Sequence, residues 1–209
     1  MTQPAIAVDL ALVLAVDCSS SVDEGDFRLQ MDGIAAALRN PPLFDAIAAG
    51  RFKQVALTLL QWSSRKSQFV AIDWRVLASH NDLEAVAREA ERARRNWQPG
   101  GTGLAAAIAF SIALLETLPL LATRRVIDVS GDGEDNDGGN AGEARDEALA
   151  RGITINGLPI INGTQGLEAY YSAQVIGGAG SFLMPTDNMF SFRDAMTRKL
   201  LREVEQVSA

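Results

Sequence analysis

The sequence predicts an α/β domain with a mostly parallel central sheet of six strands. The third strand is an antiparallel edge, and helices cover both faces. Three observations carry this expectation. Short, largely apolar runs alternate with longer segments of helical periodicity, as when buried strands are joined by crossover helices. The runs break off into loops rich in Ser, Gly and Asp. Only one pair of strands is joined by a turn too short to hold a crossover. The 209 residues, 47% hydrophobic and 22% charged, suit one globular domain with a sizeable core. Residues 1–209 are therefore read as a single domain, with 1–7 a flexible start.

Leu10–Val16 is a continuous apolar run ending in Asp17, the length of a strand buried on both faces. Asp23, Glu24 and Asp26 supply acidic helix-start residues. Phe27, Met31, Ile34 and Leu38 follow at helical spacing, and Asn40-Pro41-Pro42 stops that helix. Val55–Trp62 is the second strand. The polar turn Ser63–Ser67 leads straight into the third, Phe69–Leu77. Asp82 opens a helix with Leu83, Val86 and Ala90 inward and Arg88, Glu91, Arg92 and Arg95 on a solvated face. Gly100-Gly101-Thr102-Gly103 precedes a nearly uncharged helix, Leu104–Leu118, expected to be buried all round. Val126–Ser130 is a strand, 131–139 an acidic loop and 141–150 a helix. A strand at Ile153–Leu158, a helix at Leu167–Ile176, a sixth strand at Ser181–Met184 and a helix at Asn188–Val204 complete the chain.

Composition excludes several functions. A single cysteine, Cys18, rules out an internal disulfide and a four-cysteine zinc site. A single histidine, His80, argues against His-rich metal sites and Ser/His or Cys/His catalysis. With 19 basic against 26 acidic residues, net −7, no nucleic-acid binding is expected. No apolar stretch reaches the roughly 18 residues of a membrane span, so no membrane insertion is expected either. Ala5-Ile6-Ala7 has the small-residue character of a cleaved leader's end. An exported protein is the expectation, and a cytoplasmic one with a polar N-terminus is the alternative.

Asp17-Cys18-Ser19-Ser20-Ser21 lies just past the carboxyl end of the first strand, where ligands gather in open α/β sheets. Asp17, Ser19 and Ser21 offer one carboxylate and two hydroxyls at spacing two, part of the oxygen shell a hard cation wants. Such turns are also common helix caps. Thr102 follows two glycines at a helix start, as an N-cap or as a hydroxyl ligand. Asp132 follows a strand within Ser130-Gly131-Asp132-Gly133, and the glycines permit the tight turn that aims its carboxylate.

The set Asp17-x-Ser19-x-Ser21, Thr102 and Asp132 resembles the metal-ion-dependent adhesion site of the von Willebrand factor type A domain family. The resemblance runs from about Val8 to Val204. More narrowly, 8–17, 124–133 and 152–160 resemble an uncharacterised bacterial branch of that family. Ser20 stands where glycine is common, and Cys18 replaces an aliphatic core residue. The resemblance implies a Rossmann-like fold and binding rather than turnover. It implies Mg²⁺ (or Mn²⁺ or Ca²⁺) on the five residues and a protein partner that presents an Asp or Glu to the ion. A monomer is expected.

Other features have plainer readings. Glu134, Asp135 and Asp137 form a solvated acidic rim or a second cation site, although the EF-hand register fails at Asp137. With Asp23 and Glu24 they are expected to ring the ion with negative charge. Asp128, mid-strand, needs buried partners and is expected to be hydrogen-bonded structure, with a place behind the ion site as the alternative. Two alternative functions remain open at this level. One is a metal-dependent phosphatase or hydrolase, for which Ser19 stands where a second carboxylate is wanted. The other is an accessory subunit of an ATPase-driven chaperone or chelatase.

Overall fold

The computed structural model describes residues 6–206, in which five strands and seven helices follow one another. In order these are β1 (Ala7–Asp17), α1 (Glu24–Leu38), α2 (Pro41–Ala49), β2 (Val55–Trp62), β3 (Gln68–Leu77), α3 (His80–Arg92), α4 (Leu104–Glu116), β4 (Leu121–Gly131), α5 (Ala141–Ala150), β5 (Thr154–Pro159), α6 (Leu167–Tyr170) and α7 (Phe192–Glu205). A π-turn, Tyr171–Val175, extends α6, and a 3₁₀ turn, Met189–Ser191, leads into α7.

One sheet takes the order β3-β2-β1-β4-β5. β1 pairs in parallel with β2 and β4, β4 with β5, and β3 runs antiparallel to β2 as the edge. The expected sixth strand at Ser181–Met184 does not form. The segment makes only single bridges nearby, Gly157 to Leu183 and Ile160 to Thr186. Gly178 and Gly180 just before it have φ of +96° and +71°, conformations that turn the chain out of extension. Asn40-Pro41-Pro42 ends α1 but also begins α2. Proline at the first helical positions lacks only an N–H that would have no partner there. Of the expected flexible start, residues 1–5 lie outside the described residues, whereas Ala7 already pairs with Leu121.

Two cores sandwich the sheet. Leu10, Leu12, Leu14 and Val16 of β1 face α1, α3 and α7 on one side. Ala11, Val13 and Ala15 face α4, α5 and the π-turn on the other. This alternation along a strand buried on both faces explains the unbroken apolar run. α4 is not buried all round: Ala109, Phe110 and Ala113 reach the surface. Among the described residues no helix is long and apolar enough to cross a membrane. The chain leaves β1 toward β2 on one side and later returns to β4 on the other. The loops after β1 and β4 therefore part, which opens a crevice at the carboxyl ends of the strands.

Candidate metal centre

Asp17 is the last residue of β1, level with Trp62 of β2, and Val16 is level with Ser130 of β4. Its carboxylate thus sits inside the crevice, fully buried. Ser19, Thr102 and Asp132 are buried too, while Ser21 is exposed at the rim. The Ser19 amide donates to Asp17 Oδ1 at 2.7 Å. The hydroxyls of Ser19 and Ser21 are 3.2 Å apart, and Ser21 Oγ donates to Asp132 Oδ1 at 2.6 Å. A methyl placed on Gly133 would lie 3.6 Å from Thr102 Oγ1, so Thr102 borders the residue after Asp132. All five residues singled out in the sequence come to one end of the crevice, from three loops.

The charge there is unbalanced. Burial first, then the charge of Asp132, pushes the Asp17 carboxyl up to about 7 against its bonds from Ser19. Asp17 Oδ2 is buried without a hydrogen-bond partner, and so are Tyr171 Oη, Trp62 Nε1 and Ser130 Oγ. Gly131 makes room for this approach: a Cβ there would lie 2.9 Å from both Asp17 Oδ2 and Tyr171 Oη. Burial and the same two carboxylates push the Tyr171 hydroxyl well up, so it stays protonated and able to donate. Among the described residues no ion pair reaches Asp17 or Asp132. Among the described residues no group of three or more His, Cys, Asp or Glu side chains is placed to hold a metal ion. The oxygen set here depends on hydroxyls. Cys18 is buried, its thiol pushed up to about 12 by burial and by Asp17, which makes it an inert core residue.

Backbone contacts hold the loops in place. Gln30 Nε2 donates to the Asp17 carbonyl at 3.0 Å and Arg95 Nη2 to the Ser19 carbonyl at 2.6 Å. Gly103 N donates to the Ser63 carbonyl at 2.7 Å, and Asn136 N to the Thr102 carbonyl at 3.0 Å. The acidic loop does less facing of solvent than its composition suggests. Asp135 Oδ2 accepts from Ala105 N at 2.6 Å and Oδ1 from Gly139 N at 3.1 Å. Asn136 Oδ1 accepts from Thr102 N at 2.6 Å, and Asp137 Oδ2 from Arg65 N. Asp135 and Asn136 therefore serve unpaired amides at the start of α4, which Gly103 leaves without a side-chain cap, and Asp137 holds the turn between β2 and β3. Of the expected rim, Asp23, Glu24 and Glu134 are exposed.

Asp128 finds the buried partner that its place in the strand requires. It pairs at 2.9 Å with Lys199 of α7, deep in the core. His80 stacks on Phe44 with ring centroids 3.9 Å apart at the start of α3. The sequence reading missed Asp135 and Asn136 as helix-start partners, Arg95 as a loop clasp and Lys199 as a buried cation. The absence of a capping side chain at Gly103 was the one available signal for the first pair.

Solved structures share this architecture. Proximal thread matrix protein 1 from the mussel byssus matches with a TM-score of 0.68 and 14% identity, over 98% of this chain and 49% of that one. A further structure of it, described as having a zinc occupied MIDAS motif, matches at 0.64 and 13%, over 98% and 49%. A von Willebrand factor type A protein from Catenulispora acidiphila gives 0.66 and 15%, over 94% and 43%. The vWF domain of the type V pili tip protein Mfa5 from Porphyromonas gingivalis gives 0.64 and 11%, over 94% and 95%. This chain spans about half the length of the mussel protein. At these identities the likeness is one of fold, that of the von Willebrand factor type A domain. No curated protein matches the sequence. The model of the family described as "Protein of unknown function (DUF1194)" matches residues 7–208, and the chain belongs to that family.

Proposed function

We propose that this protein is a metal-dependent protein-binding module, not an enzyme, and that Asp17, Ser19, Ser21, Thr102 and Asp132 hold a divalent cation. The observation that carries the reading is Asp17 Oδ2, buried and unpartnered beside a second carboxylate with no protein cation between them. A buried charge needs a counter-charge, and an all-oxygen donor set suits a hard ion. Mg²⁺, Mn²⁺ and Ca²⁺ all fit that description. The zinc occupied MIDAS motif of the mussel protein supports a divalent ion in this fold.

The ion would supply an electrophilic seat for a carboxylate from outside. The protein's part is to hold three neutral hydroxyls and two carboxylates in a preset cradle. Hydroxyl ligands leave an ion's charge only partly neutralised, so a partner's Asp or Glu gains by completing the shell. The pili tip and byssus neighbours support an adhesive, exported setting. The test is calorimetric titration of Mn²⁺ into the wild type and Ser19→Ala. The wild type is expected to bind and the variant to lose binding. Equal binding by the two would overturn the assignment.

A further inference from the structure

Two strands omit a side chain to seat one phenol ring. Gly131 ends β4 and Gly157 lies within β5. Both open onto the sheet face that carries Ala15, Leu60 and Val129, and there Tyr171 is fully buried. A Cβ on Gly157 would come 2.9 Å from Tyr171 Cδ1, and one on Gly131 would come 2.9 Å from Tyr171 Oη. A larger residue at either place would displace the ring. Tyr171 also opens the π-turn, in which the Ile176 amide donates to the Tyr171 carbonyl at 3.0 Å across five residues. Such widened turns are frequent at functional sites. The residue before it serves another loop of the crevice: the Tyr170 hydroxyl accepts from Asp135 N at 3.1 Å.

The Tyr171 hydroxyl has no hydrogen-bond partner. The point a Gly131 Cβ would occupy lies equally near Asp17 Oδ2, which is also unpartnered, and 3.1 Å from Trp62 Cζ2. Of the polar groups gathered there, the phenol and the Trp62 indole N–H are donors, and the Asp17 oxygen is an acceptor only when ionised. The other oxygen of Asp17 already accepts from Ser19 N at 2.7 Å.

We infer that Tyr171 is a positioning residue for the metal centre: its hydroxyl directs Asp17 Oδ2 and so fixes the plane of the carboxylate that Ser19 holds by Oδ1. This rests on the metal-binding reading of Asp17. A carboxylate held by one oxygen swings about its Cβ–Cγ bond, and that freedom is lost when an ion binds. Held by both oxygens, it is preset for the ion. The phenol is neutral, so it aims the carboxylate without balancing its charge, and the need for a cation stays. The fold asks only for the ring, which phenylalanine would supply as well. To the fold alone an unpartnered hydroxyl is a burial cost.

Tyr171→Phe in the full chain separates the two roles. Calorimetric titration with Mn²⁺ is expected to show binding about 10–100-fold weaker than wild type, the usual effect of removing a group that holds a metal ligand. The melting temperature in EDTA is expected to stay the same or rise, because the buried hydroxyl that goes has no partner to lose. A merely structural tyrosine does not give that combination. Unchanged Mn²⁺ affinity overturns the proposal, and so does a loss of affinity accompanied by a lower melting temperature in EDTA. Ser19→Ala, titrated alongside, keeps the two readings apart. If wild type and Ser19→Ala bind Mn²⁺ equally, or neither binds, the metal-binding reading falls and the Tyr171 assignment with it. If Ser19→Ala loses binding and Tyr171→Phe binds like wild type, the Tyr171 assignment alone falls.

Discussion

Two buried carboxylate pairs each draw one member from the β4 segment, Asp128 within the strand and Asp132 just past its end, and they are balanced in different ways. In the core, Asp128 and Glu203 flank Lys199, whose Nζ is 2.9 Å from Asp128 Oδ1 and 3.1 Å from Glu203 Oε1. Asn156 adds a bond to Glu203 Oε1 at 2.7 Å, and the ammonium lies 4.7 Å over the Phe182 ring. At the strand's end, Asp132 and Asp17 have hydroxyls and amides but no cation. Burial pushes up both Asp128, to about 6, and Asp17, to about 7. Lys199 opposes the first shift, and only hydrogen bonds oppose the second. The core pair brings its own counter-ion along the chain. The pair at the crevice has none of its own, and on this difference the metal-binding proposal rests.

The sharpest way to break this comparison is to remove the internal cation. Lys199→Met leaves Asp128 and Glu203 facing each other in the core, with an expected loss of about 3–5 kcal/mol by urea denaturation. Added Mn²⁺ is expected not to restore it. Rescue by Mn²⁺, or a loss below about 1 kcal/mol, would show that the two pairs are not distinct.

The next effect is in pH. The Asp17 carboxyl titrates higher in the folded protein than in the unfolded chain, so the native state binds the extra proton between about 4 and 7. Metal-free stability contributed by this group is therefore present at low pH and lost as pH rises through that window. The expected loss is on the order of 4 kcal/mol. Asp128 adds a change of the same sign. Chemical denaturation of wild type and Asp17→Asn across this range in EDTA checks it: the variant is expected to decline less. Equal slopes would mean that Asp17 stays solvated.

Metal addition comes third. At about 100 times its dissociation constant an ion that binds only the native state stabilises by roughly 2.7 kcal/mol, or roughly 5–10 °C for a domain of this size. Differential scanning calorimetry with EDTA and with Mn²⁺ is expected to show that gap in wild type but not in Ser19→Ala. The smallest effect is at Asp135→Ala, which strips the partner from Ala105 N and is expected to cost about 1 kcal/mol. Its melting curve will still respond to Mn²⁺, because Asp135 holds the loop and not the ion.

The central strands were legible because β1 and β2 are buried on both faces and so have almost no polar interruption, and β2 runs over the residues expected of it. Asp17, Ser19, Ser21 and Asp132 stood out because they follow apolar runs that read as strands, and Thr102 because two glycines precede it at a helix start. What escaped depends on distance. Asp135 and Asn136 serve amides about 30 residues away, and nothing local marks such a bond. Lys199 sits in a helix rich in charges, and it and Glu203 turn inward only because Asp128 and Asn156 meet them from distant strands. α2 was missed because proline reads both as a stop and as a start.

The sheet's two margins have a consequence for assembly. An open strand edge offers unpaired amides and carbonyls on which other chains can build, and proteins guard against it. Here β3 departs from regular pairing with β2 around Leu57–Leu60, carries exposed Asp73 and Arg75, and is tied to α3 by the Arg75–Glu89 ion pair at 3.2 Å. The β5 margin is screened by the irregular segment 177–186, whose isolated bridges take up the amides of Ile155 and Gly157. The strand that failed to form thus acts as a cover. With both margins guarded, fibrous strand-on-strand growth is disfavoured, and the loop-bearing end of the sheet is left as its open side.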